Sequence, residues 1–187
     1  MKKTTKLAIA FVAIELAIYI AYLAADLGFI SVNSIRLKFI SICLCLVFSA
    51  IFTAMGGEKL ITAAMVFTLA ADSLLLVKDS DYALGVAFFC IVQAIYFYML
   101  YRENGKTLSA LRIVLFALAL ILLLKLNILS WLNVLVVFYF TSFVCNVIQS
   151  FGTGKRLFSL GLVLFICCDV CVGIFNLTQL KGTGIYS

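Results

Sequence analysis

A bundle of membrane-spanning helices is the fold class this sequence predicts, and three observations predict it. Of 187 residues, 66% are hydrophobic and only 12% charged, too little polar surface to wrap a soluble domain of that length. The apolar residues come in blocks of about twenty, enough to cross hydrocarbon roughly 30 Å thick at about 1.5 Å per residue. Short polar joints separate the blocks, with no Pro-rich or low-complexity linker. The expectation is all-α: one polytopic transmembrane domain, 1–187, of about seven spans and no sizeable soluble part.

The first span, 7–29, follows Lys2, Lys3 and Lys6. It is too long for a signal-peptide core and contains Glu15 and Asp26, so it reads as a retained span. The second, 35–55, begins after SVNS, and the third, 59–77, after GGEK. The fourth, 82–101, follows KDSD; the fifth, 108–126, follows RENGK. KLNILSW is the least marked joint and leads into the sixth span, 128–149; QSFGTGK leads into the seventh, 157–177. No Pro occurs and most of the 11 Gly fall near span ends. Unbroken helices follow, without the interrupted segments that many transporters place at their binding sites.

Charge sets orientation. With the N-terminus inside, Lys2, Lys3, Lys6, Lys59, Arg102, Lys106, Arg112, Lys155 and Arg156 lie on the inner side. Arg36, Lys38, Lys78, Lys125 and Lys181 lie outside, and the bias favours N-in, in a bacterial-type cytoplasmic membrane. The formal charge of +6 thus reports loops against anionic headgroups rather than nucleic acid. All seven Cys sit in apolar runs, where Cys acts as a small hydrophobe. The cluster CCDVC, 167–171, invites a metal reading, but the chain has no His and no second CxxC, so neither a metal site nor a disulfide is expected.

Polar residues recur at helical spacing on five spans, so each set shares a face. The first span has Glu15, Tyr19, Tyr22 and Asp26; the second has Lys38, Ser41, Cys45 and Ser49. Gln93 and Tyr96 lie one turn apart on the fourth, and Tyr139, Ser142, Asn146 and Gln149 share a face of the sixth. Asp72 and Asp169 stand in the third and seventh. A midplane charge facing lipid costs roughly 3 kcal/mol even on the lenient insertion scale. These faces therefore point at one another, around a polar cavity with at least two carboxylates. Blander readings stand beside this one. Lys38 and Asp26 can snorkel to the interface, the stripe on the sixth span can be interhelical glue, and Tyr19 and Tyr22 can simply pack.

Several chemistries are excluded. The seventh span, 157–177, has no Lys for a retinal Schiff base, and a Ser nucleophile has no His base. Neither a Walker nor a dinucleotide glycine pattern is present, so no cofactor is expected. What remains is binding, or chemistry by paired carboxylates.

The segment FTLAADSLLLVKDSDYALGVAFFCIVQAIYFYML, 67–100, resembles the YhhN, or lysoplasmalogenase, family of membrane proteins. In that resemblance Ala71–Asp72–Ser73–Leu74–Leu75 matches a small-residue–Asp–apolar motif, and Gly85 with Gln93 and Tyr96 matches a Gly-containing span with a His-x-x-Tyr-like pair. Gly161 and Asp169, in 157–176, fall in register with a late Gly–apolar–Ser–Asp motif. Lys38 corresponds to a Lys-Pro at the second span, and Tyr139 to a Tyr on the sixth. Four departures stand out: Gln93 replaces His, Phe39 replaces Pro, Cys168 replaces Ser, and seven spans replace eight. The last leaves one side of the bundle open or reliant on a partner, such as a second copy in a homo-oligomer.

The resemblance implies hydrolysis of the vinyl ether bond of lysoplasmalogens, so a lysophospholipid or other membrane lipid is the expected partner. Asp72 and Asp169 would divide the acid and base roles, their pKa values driven apart in a shared low-dielectric site and their carboxyl groups within about 10 Å. Gln93 and Tyr96 would position water, Lys38 would lie near the phosphate, and Tyr139, Asn146 and Glu15 would complete the binding face. Two rivals remain. One is a non-enzymatic substrate-capturing transporter subunit, as in energy-coupling-factor systems, or a lipid-binding protein. The other is an inactive family member, for which Gln93 speaks.

Overall fold

Helix accounts for nearly all of the backbone. The computed structural model describes the backbone of residues 2–78 and 80–183, and their side chains apart from 2–4, 26 and 171–183. Seven α-helices follow in order: α1 (Lys2–Asp26), α2 (Ser34–Ala54), α3 (Lys59–Asp72), α4 (Tyr82–Asn104), α5 (Ser109–Lys125), α6 (Trp131–Ser150) and α7 (Arg156–Thr183). Each overlaps one of the seven expected spans, with bounds that differ by up to six residues, and no strand occurs among the described residues. Among the described residues, five segments are long and apolar enough to cross a membrane: 5–25, 34–54, 59–78, 82–104 and 131–153. At 17 residues, α5 rises only about 25 Å, short of a full hydrocarbon core. The Asp26 carboxylate, Cys171 and Lys181 side chains lie outside the described residues.

One expectation needs correction. The third span is not a uniform helix: after Asp72 it widens into a π-helical segment, Ser73–Lys78. The Ser73 hydroxyl donates to the Leu69 carbonyl at 2.7 Å, a carbonyl that the α-helical ladder also uses. This back-bonding loosens the ladder without any Pro.

Packing divides the chain into two units, Met1–Tyr96 and Phe97–Ser187, and α4 belongs to both. In the first, Phe11 of α1 stacks on Phe48 of α2 with centroids 4.0 Å apart. The hydroxyls of Thr53 and Thr62 meet at 2.7 Å across the α2–α3 corner. That corner turns on Gly56, at φ +93°, and Gly57, whose added Cβ would lie 2.7 Å from the Phe52 carbonyl oxygen. A side chain has no room there. Phe67 and Phe88 tie α3 to α4.

In the second unit α6 is central. Its Phe143 is fully buried, along with Cys145 and Asn146. Phe138 meets Phe116 of α5 edge-on at 5.9 Å, and Phe143 meets Phe165 of α7 at 5.0 Å. Lys155, before α7, reaches Glu103 at the end of α4 at 2.7 Å. On the outside of both units the large apolar side chains are exposed, among them Ile9, Val12, Ile113, Leu118, Leu157 and Leu164. In a membrane these meet lipid tails, which is why the hydrophobic composition carries no cost.

Candidate active site and its polar seam

Asp169 sits on α7 beside α6, where Tyr139 donates its hydroxyl proton to Asp169 Oδ2. Tyr139 is itself buried and wedged between Phe140 and Phe143. The carboxylate is thus held in one orientation by a hydroxyl that packing holds in turn. The sequence put these two residues in the candidate site without pairing them; the fold pairs them.

Two turns further along the same face of α6 lies a second polar group, Asn146, buried beside Gln149. Its partner is Arg112, which charge counting treats as an inner-side charge near the start of the fifth span. Arg112, one turn into α5, donates from Nη2 to Asn146 Oδ1 at 2.7 Å and Gln149 Oε1 at 3.4 Å. Nη1 donates to the Ser142 carbonyl at 3.2 Å and Nε to the Thr107 carbonyl at 3.0 Å. The guanidinium carbon stands 4.6 Å from the Phe97 ring centroid, a cation–π geometry. Gln149 is gripped from its other end: Nε2 donates to the Lys106 carbonyl and to Asn104 Oδ1, while Asn104 Nδ2 donates to the Gln149 carbonyl. The stripe on α6 is therefore a seam joining α4, α5, α6 and α7. A signal for Arg112 was present in its position, inside an apolar run rather than in the RENGK joint.

In the first unit the expected residues fall into separate groups. Glu15 of α1 accepts a hydrogen bond from the Ser41 hydroxyl and one at 3.6 Å from the Cys45 thiol, both on α2. Lys38 Nζ lies 5.3 Å from the centroid of the Tyr22 ring. Tyr19 and Tyr22 touch edge to face. Asp72, half-buried, ends α3 where the π segment begins, beside fully buried Ala71. Immediately beyond, Gly85 of α4 comes so close to Leu75 that an added Cβ would lie 2.7 Å from Leu75 Cγ. A π segment commonly marks a functional place in a helix, and here it fixes the backbone that follows Asp72. Gln93 and Tyr96 are both buried on α4, at 1% and 7% exposure.

Fold and composition together define an integral membrane protein of the helical-bundle class. The chain belongs to the YhhN family, whose sequence model matches residues 33–183. No curated protein and no solved structure matches the chain. The family match begins at the entry to α2, so it leaves out α1 and with it Glu15.

Proposed function

We propose that this protein is a membrane hydrolase that cleaves the vinyl ether bond of lysoplasmalogens, its chain acting as one transmembrane domain. The observation that carries the proposal is the Tyr139–Asp169 pair in a chain of the YhhN family. Vinyl ether hydrolysis needs a proton on the outer vinyl carbon, giving an oxocarbenium ion, and water on the carbon beside oxygen. The resulting hemiacetal then collapses to an aldehyde and a glycerophospho-alcohol. One carboxyl group serves as the acid and another as the base that takes a proton from water. Asp169 and Asp72 fill those roles, and Tyr139 holds Asp169 in place. Gln93 and Tyr96 position water, while Asn146, Lys38 and Glu15 belong to the surrounding binding face. The basic inner joints support an N-terminus on the cytoplasmic side of the plasma membrane.

The test is direct. Purified protein given a lysoplasmalogen should release a long-chain aldehyde, and the double variant Asp72→Asn with Asp169→Asn should not. A second reading draws on buried Gln93, whose amide cannot act as a base: the protein binds lysophospholipid without turning it over. Retention of the lipid without aldehyde release would select that reading.

A further inference from the structure

Arg112, one turn into α5, is a cation whose partners among the described residues are neutral. Its contacts are two amide oxygens, two backbone carbonyls and one phenyl ring. Among the described residues no carboxylate pairs with it. Taking a charge out of water is expensive unless an opposite charge compensates it, and here the dipoles of Asn146 and Gln149 supply only part of that compensation. Gln149 holds it weakly, at 3.4 Å, so one guanidinium face can be re-used. Arg112 itself is only half-buried. A strained turn sets this geometry: Leu108, the residue before α5, stands at φ +50°, a conformation that costs a branched side chain roughly 1–2 kcal/mol. The Thr107 carbonyl just before it receives Arg112 Nε.

We propose that Arg112 is the anchor for the phosphate of a lysophospholipid, bound along the α6 seam with its ether end toward Tyr139 and Asp169. This deepens the hydrolase reading and rests on it for the orientation of the lipid. Seven residues of α6 separate Asn146 from Tyr139, a rise of about 10 Å. Six bonds separate phosphorus from the first vinyl carbon of a lysoplasmalogen, roughly 8 Å extended from bonds of about 1.5 Å. A molecule with its phosphate at Arg112 therefore brings its reactive carbon to the level of Asp169. Arg rather than Lys suits the task, because the planar guanidinium presents paired donors to phosphate. The proposal moves the phosphate contact from Lys38, whose ammonium is occupied at Tyr22, to Arg112.

The experiment compares binding of two probes to the full-length protein in detergent by native mass spectrometry. One is a saturated alkyl-ether lysophospholipid, which has no vinyl bond to cleave; the other is the alkylglycerol with the same chain and no phosphate. Wild type should hold the phosphate-bearing probe at least about tenfold more tightly, the scale of a charged hydrogen-bond pair. Arg112→Gln should erase that preference, and Arg112→Lys should keep part of it. Equal binding of both probes by wild type, or an undiminished preference in Arg112→Gln, overturns the proposal. Should Arg112→Gln not fold, the wild-type comparison together with Arg112→Lys decides. Inorganic phosphate at millimolar concentration should not displace the lysophospholipid; if it does so fully, the site is a free-anion site and the lipid anchor is rejected. A retained phosphate preference with no aldehyde from lysoplasmalogen rejects the hydrolase reading while the anchor stands, so the two failures are distinct.

Discussion

The two halves of the chain use polar residues differently. In the first unit, Glu15 bonds to α2 through Ser41 and Cys45, and α1 presents Ile9, Val12, Leu16 and Ile20 outward. In the second, one face of α6 is tied by Arg112, Asn104 and Asp169 to three other helices. Isolated interhelical hydrogen bonds in membranes average about 0.6 kcal/mol, which suffices to hold one helix against another. A seam that fixes a carboxylate at one end and, at the other, a cation whose partners among the described residues are neutral exceeds what helix adhesion requires. Under the proposed hydrolase reading the seam orients the Asp169 carboxylate, whereas the Glu15 contacts chiefly hold α1 against α2, in keeping with a family match that begins after α1.

Substitutions can break or sharpen this contrast. The largest effect is expected at Asp169→Asn, which should lower aldehyde release on the order of 10²–10⁴-fold, the usual contribution of an acid or base, while leaving the melting temperature near wild type. Next comes stability: Arg112→Leu removes the guanidinium hydrogen bonds to the side-chain oxygens of Asn146 and Gln149 and should destabilise by about 2–3 kcal/mol, read by thermal unfolding in detergent. Gly85→Val drives a branched side chain into Leu75 and should cost about 1–3 kcal/mol by overpacking. Tyr139→Phe keeps the packed ring but releases Asp169, so turnover should fall about tenfold with a stability loss near 1 kcal/mol. The smallest change belongs to Glu15→Gln, under about 1 kcal/mol, with turnover lowered far less than by Asp169→Asn. A Glu15 effect on turnover as large as that of Asp169 would erase the distinction between the halves.

Much of the fold was legible because the signals were one-dimensional. Runs of apolar residues and their GGEK, RENGK and QSFGTGK joints carry helix boundaries directly, and helical spacing put Tyr139, Ser142, Asn146 and Gln149 on one face. The widening after Asp72 was not legible, since it depends on the Ser73 hydroxyl choosing a carbonyl in three dimensions. Arg112 was missed for a related reason. Charge counting treats an Arg near a span end as a topology marker, whereas its role follows from what α6 offers opposite it. Which hydroxyl faces Asp169 was likewise a question of packing between distant segments.

Aldehyde release from a lysoplasmalogen, measured for purified wild type and for the Asp72→Asn, Asp169→Asn double variant in the same detergent, tests the central claim most directly. Wild type should turn over and the double variant should fall to background while retaining its helical circular dichroism. Turnover that survives in the folded double variant would contradict the carboxylate mechanism outright.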